Sequence, residues 1–206
     1  MKRVSLIKMQ QQLEDCTACL LHKYRKQVVF GHGKVSARFM IVGEAPGRQE
    51  DAAGLPFVGQ AGHTLDRLLF DELNLDPEDF FITNVVCCRP KNNRDPKPAE
   101  AEACNARLVK QIMAVKPEVI FTLGKISSNW LVNNTVKTTA MQPVGKMLDF
   151  SYMLQGYEVK FKFGAAVHET KVLCNYHPSY LDRKRSESLE EKFKRQFFIG
   201  AIQRAR

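Results

Sequence analysis

The 206-residue chain has no run of about eighteen consecutive apolar residues, which excludes a membrane-spanning helix. Its first stretch, Met1 to Leu13, lacks the charged-then-apolar order of a secretory leader. Val4, Leu6, Ile7, Met9 and Leu13 fall instead at the spacing of a short amphipathic helix. No repeat, low-complexity tract or linker interrupts the chain. It therefore reads as one domain over residues 1–206, with an N-terminal helix and cysteine pair over 1–35 and a core over 36–206. The expected compartment is the cytoplasm, with nucleoid association. Acidic residues are in deficit, 22 against 31 Lys and Arg, for a net charge of +9. A polyanionic partner such as nucleic acid follows, with plain solubility as the bland alternative. Lys23, Arg25, Lys26 and Lys34 cluster early, and Arg183, Lys184 and Arg185 form a late triplet.

Six cysteines in a reducing compartment do not read as a disulfide framework. Cys16 and Cys19 form a C-x2-C pair, whose turn presents two thiolates to one metal centre. Structural zinc, an iron–sulfur cluster and a redox pair all use that spacing. The redox use is disfavoured, because that motif follows a strand and opens a helix, and this one lies upstream of any strand. Cys88 or Cys87 supplies a third sulfur. Strand alternation points the two to opposite faces, and Cys88 opens the Arg89–Arg94 loop, so it reaches a peripheral centre more readily. Cys104 follows. Cys174 lies inside a strand and reads as a core packer. Spacing alone does not separate zinc from iron–sulfur.

Apolar runs at residues 39–43, 80–86, 119–123 and 171–175 read as buried strands. Helical periodicity covers 61–73, 99–115, 125–132 and 187–205, and the patchier 136–165 reads as a loop plus hairpin. Alternating strands and helices predict a single-domain, three-layer α/β/α sandwich with a mainly parallel four-stranded central sheet. Ligands of such sheets bind beyond the carboxyl ends of the strands, so the loops starting at Gly43, Asn84, Gly124 and Asn175 are where function is expected.

The loop Gly43 to Asp51 carries two glycines that permit close backbone approach, with Glu44, Glu50 and Asp51 as carboxylates. It has neither the Walker A nor the dinucleotide-binding pattern. Phe57, in the glycine-rich loop that follows, could stack on a base or anchor the loop. His177 stands at the end of the last strand beside Pro178, a working rather than a packing position. Ser179 and Arg183 nearby suit phosphates.

Four segments in order resemble the family-four uracil-DNA glycosylases, the iron–sulfur branch of their superfamily. These are the C-x2-C pair; G-E-A-P-G-x-x-E-D followed by P-F-V-G-x-A-G; I-T-N-V-V-x-C-R-P-x-x-N-R-x-P with the later cysteine; and H-P-S-Y-L. The resemblance implies the uracil-DNA glycosylase fold and a 4Fe–4S cluster on Cys16, Cys19, Cys88 and Cys104. It also implies excision of uracil from single- or double-stranded DNA by a monomer that flips the base, leaving an abasic site. Phe57 is then expected to stack on uracil, Asn84 to read its edge, and His177 to sit by O2. Gly43, Ala45 and Gly47 wall the pocket, with Ser179 nearby and Glu44 and Glu50 as candidate catalytic carboxylates. Tyr180, Leu181, Arg183, Lys184 and Arg185 are expected to press into the duplex. Ala45 stands where other branches carry a water-activating aspartate or asparagine. A non-catalytic DNA-binding accessory of replication or repair, or a glycosylase for another modified base, are the alternatives.

Overall fold

The structure, a computed structural model, describes residues 6–133, 156–181 and 189–205. In chain order the regular elements are α1 (Leu6–Leu13), β1 (His32–Gly33), β2 (Phe39–Gly43), α2 (Arg48–Ala53), α3 (Gln60–Asp66), β3 (Phe80–Asn84), α4 (Pro98–Val115), β4 (Val119–Leu123), α5 (Lys125–Asn133), β5 (Tyr157–Phe163), β6 (Ala166–Asn175) and α6 (Leu189–Ala205). The sheet order is β1-β3-β2-β4-β6-β5. The central four strands, β3-β2-β4-β6, are mutually parallel, as expected from the sequence. The sheet itself has six strands rather than four, because short β1 and longer β5 add antiparallel edges.

Strand alternation divides the core into two layers. Met40, Val42, Phe81, Ile120 and Val172 face one side, where α1, α4 and α5 bring Met9, Leu108, Ile112 and Trp130. Phe39, Ile41, Phe80, Phe121 and Leu173 face the other, against Leu65 and Leu68 after β2 and Phe198 and Ile202 of α6. Strands buried on both faces must be apolar throughout, which is why the sequence showed them as unbroken runs. Cys174 packs in the first layer.

Two elements differ from the sequence reading, and the expected hairpin is found. The expected helix over 61–73 is α3 continued by a single π turn, Arg67–Glu72. The hairpin is β5 and β6 joined at Gly164, whose φ of 58° suits the tight turn. The part of the 136–165 stretch before residue 156 lies outside the described residues, as do Arg183, Lys184 and Arg185. The second strand stops at Asn84, not residue 86, although its pairing with the β2 side continues: Val85 N–H donates to Gly43 O (2.9 Å) and Val86 N–H to Glu44 O (3.2 Å). Among the described residues no helix is long and apolar enough to cross a membrane.

Candidate active site

A pocket of about 460 Å³ opens beyond the carboxyl ends of β2, β3, β4 and β6. Register places Gly43 of β2 directly beside Asn84 of β3. The space a side chain would take at Gly43 is filled by those two neighbours. An added Cβ would stand 2.4 Å from Asn84 Oδ1 and 2.6 Å from Phe57 Cζ. Asn84 is 2% exposed, so its amide is held rather than free to rotate in solvent. Gly43→Ala is therefore expected to keep the fold, since φ there is not left-handed. It should displace Phe57 and Asn84 and cost about 30-fold in substrate turnover, as read by a thermal melt alongside single-turnover kinetics.

Phe57 adopts φ 56°, a left-handed backbone that is uncommon for a bulky residue and tends to mark ligand sites. The conformation is imposed from α3. Gly62 packs against the Phe57 peptide so closely that a Cβ would lie 1.6 Å from Phe57 O. The ring stands half-buried over the pocket, its centroid 6.5 Å from that of His177.

Glu50 is a clamp. Its two carboxylate oxygens accept from Gly47 N–H (3.1 Å) and Gly59 N–H (2.7 Å), tying the start of α2 to the loop that carries Phe57. A Gly-x-x-Glu capping pattern was the available signal, with the acid reaching back to the N-cap amide. Among the described residues Glu44 has no such backbone partners. Burial, and then the charge of Asp95, push its carboxyl up to about 7. Asp51, a third carboxylate of the loop, accepts from Lys26 N–H and is buried.

His177 caps the short turn Pro178–Tyr180, and its Nδ1 accepts from Ser179 N–H (3.3 Å) with Ser179 Oγ at 2.9 Å. That arrangement leaves the ring proton on Nε2. Burial lowers its pKa, partly opposed by Glu50, so the ring is neutral near neutral pH. Ser179 and Tyr180 line the same pocket and are exposed, with Lys194 Nζ 5.4 Å over the Tyr180 ring.

Leu181 departs from expectation. It is 2% exposed and packs in the second core layer, because the turn at Pro178 swings its apolar side chain inward. Burial outweighs presentation of a wedge, leaving Tyr180 as the exposed one of the two described side chains of that segment. The early basic cluster is also partly committed elsewhere. Lys34 pairs with Glu78. Arg25 turns inward, donating to Cys16 O (2.7 Å) and Glu14 O (2.9 Å) and lying 3.3 Å from Cys88 Sγ. The pocket also has residues the sequence reading missed: Arg94, Asp95 and Lys125. Arg94 is fixed by a two-pronged ion pair with Glu100 (2.8 and 2.6 Å), which holds the rim loop. Only the loop positions, not these side chains, were signalled.

Cys16, Cys19, Cys88 and Cys104 border one small cavity together with Arg25, Arg107 and Cys87. Cys16 follows α1, Cys19 caps a short turn, Cys88 follows β3, and Cys104 sits on α4. Cys87 is close enough for its thiol to hydrogen-bond Cys104. Alternation does not carry Cys87 to the far face, because the strand has already ended at Asn84. Among the described residues no three His, Cys, Asp or Glu groups are gathered for a single metal ion.

The model of the uracil DNA glycosylase superfamily matches residues 30–203. A type-4 uracil-DNA glycosylase of Saccharolobus solfataricus is 41% identical over 164 residues, covering 80% of this chain and 75% of its own. One from Thermotoga maritima is 40% identical over 179 residues, covering 87% of this chain and 84% of its own. One from Archaeoglobus fulgidus is 40% identical over 190 residues, covering 90% and 88%. With its pocket at the carboxyl end of a parallel sheet and likeness across most of its length, the chain belongs to the type-4 branch of the uracil-DNA glycosylase superfamily.

Proposed function

We propose that this protein hydrolyses the N-glycosidic bond of deoxyuridine in DNA, releasing uracil and leaving an abasic site. One observation carries the reading: Phe57, Asn84, His177 and Glu44, far apart in sequence, line a single pocket. A base must leave the duplex to enter it. Phe57 offers a ring face for the extruded base. The Asn84 amide can donate to uracil O4 and accept from N3–H. Cytosine reverses both groups, and a buried amide left mispaired is costly.

As the bond from N1 to the sugar breaks, negative charge gathers on uracil O2 and positive charge on the sugar. His177, neutral and protonated on Nε2, is the donor for O2. Glu44, when ionised, stabilises the sugar cation or takes the proton of the attacking water, whose hydroxyl joins the sugar carbon while the base departs with the electron pair. Glu50 acts by holding the loop that presents Phe57. Ser179 and Tyr180 meet the DNA strand at the rim. Arg183, Lys184 and Arg185 remain expected phosphate contacts. The protein acts as a cytoplasmic, nucleoid-associated monomer on single- or double-stranded DNA.

Cys16, Cys19, Cys88 and Cys104 would hold a 4Fe–4S cluster. The donor set fits: four thiols around one cavity, with Arg25 and Arg107 beside them to balance the charge of four thiolates. A lone zinc needs every sulfur about 2.3 Å from one point, whereas a four-iron cluster gives each its own iron and tolerates a wider ring. Bound there, the cluster supplies a rigid tie between the N-terminal segment, the chain after β3, and α4.

The test is a uracil-excision assay with chelator present. Protein carrying about four irons per chain should release free uracil from uracil-containing DNA. Iron-loaded protein that releases none would rule the activity out. Cys88→Ala should lose iron and melt lower.

A further inference from the structure

Arg107 is 5% exposed in the interior of α4 and belongs to no part of the pocket wall. A buried guanidinium is costly unless its donors are met, and apolar residues of the same volume pack as well or better. Its hydrogen bonds show where it is used. Nη2 donates to Asn84 O (2.8 Å) and Val85 O (2.7 Å). These are the carbonyls at which β3 ends. Nη1 donates to Gln111 Oε1 (2.6 Å) and Thr83 Oγ1 (3.1 Å). Gln111 is itself fixed, its Nε2 donating to Phe30 O (2.9 Å), and Thr83 Oγ1 donates to the same carbonyl (2.9 Å). Among the described residues one atom of the network is left over: Arg107 Nε is buried with no hydrogen-bond partner, while the Arg107 side chain lies within reach of the Cys104 thiol. The same side chain borders the cavity of Cys87, Cys88 and Cys104, and Cys104 lies one helical turn before it on α4.

We propose that Arg107 is a positioning residue for base recognition. It locks the Asn84–Val85 carbonyls with one nitrogen and leaves Nε–H for a sulfur acceptor of the group held by the cysteines, so that one side chain joins that group to the base-reading amide. The idea rests on Asn84 being the residue that reads the uracil edge. The cysteine-bound group then sets specificity through Arg107 while remaining outside the pocket. Lysine can replace only part of the function, because a single ammonium cannot span two carbonyls, a glutamine and a sulfur in one plane.

The experiment compares Arg107→Met and Arg107→Lys with wild type as purified, iron-loaded protein. Four readouts are taken: iron content and visible absorbance, amide hydrogen exchange of the 84–88 segment, the KM-against-kcat split, and the ratio of uracil to cytosine excision. An ångström of misplacement can cost about 10²-fold, and the β3 ladder limits the movement here, so Arg107→Met should lose about tenfold in kcat with little change in KM. The uracil-to-cytosine ratio should fall by a similar factor, and exchange at 84–88 should quicken by about tenfold. Arg107→Lys should recover part of each. A merely structural arginine would lower the melting temperature without changing the base ratio. If Arg107→Met fails to fold or to hold iron, Arg107→Lys decides. Full iron with wild-type exchange and base ratio in that variant overturns the proposal. Asn84→Ala is the separate control. If it leaves the base ratio unchanged, the reading of Asn84 has failed. The exchange measurement still reports whether Arg107 holds the segment, and unchanged exchange rejects it even if the wild type releases no uracil.

Discussion

His177→Ala is expected to lose about 10³-fold in single-turnover uracil excision while its melting temperature stays within about 2 °C of wild type. The reason lies in the direction of its hydrogen bonds. Ser179 N–H donates to Nδ1, so the proton must sit on Nε2. That proton is the donor available where negative charge develops. Alanine removes it and leaves a gap that water fills without preorganisation. The core is untouched, because His177 is half-buried at the rim of the pocket and, among the described residues, its ring bonds to Ser179 alone. His177→Gln should recover part of the loss, since a side-chain amide restores an N–H near the same place. The pH behaviour follows from the sign of the shift. Burial lowers the imidazole pKa below its ordinary 6.5. The neutral donor therefore persists into acid, where the unfolded chain would already be protonated. Folding stability should rise with pH across that window, and His177 should not cause a loss of rate just below neutrality. An alanine variant with excision near the wild-type rate would remove His177 from the mechanism.

The architecture was legible in the sequence because parallel strands buried on both faces must be apolar at every position. Phe39 to Gly43 and Val119 to Leu123 announced themselves in that way. The edges were not legible. β1 is two residues long, and β5 alternates exposed lysine and glutamate with half-buried positions, so neither makes an apolar run. Within the site, residues at strand ends were readable because topology alone places them: Gly43, Asn84 and His177. What each side chain bonds to was not readable. Glu44 and Glu50 are equivalent as letters in one loop. Only the fold shows that Glu50 spends both oxygens on Gly47 and Gly59 while Glu44, among the described residues, has no such clamp. Leu181 and Tyr180 differ in the same way, since a turn decides which of two adjacent side chains goes inward. Arg107 was hidden among 31 basic residues, and no spacing marks it. Its importance comes from contacts made across α4, β3 and the cysteine cavity.

Glu44→Gln is expected to lose about 10²-fold at the pH optimum and, more tellingly, to flatten the pH profile. Burial, with the nearby charge of Asp95 second, raises the Glu44 carboxyl from 4.5 to about 7. A group that works as an anion must be deprotonated. In wild type kcat/KM should therefore climb about tenfold per pH unit below 7 and level off above it. Glutamine cannot titrate, so that limb should vanish from the variant. Asp95→Asn removes the second cause and should move the limb toward acid. Stability should run in the opposite direction. The folded pKa lies above the unfolded one, so the favourable contribution is complete below about 4.5 and is lost as pH rises through about 7. Above that, wild type keeps a buried carboxylate that Glu44→Gln does not, and the variant should melt higher there, with little difference in acid. Glu50→Gln supplies the contrast, because weakening the clamp should lower both activity and melting temperature. A variant that loses turnover while gaining stability identifies a carboxylate retained for chemistry. A Glu44→Gln protein with the wild-type acid limb would place that titration on another group and leave Glu44 as part of the wall.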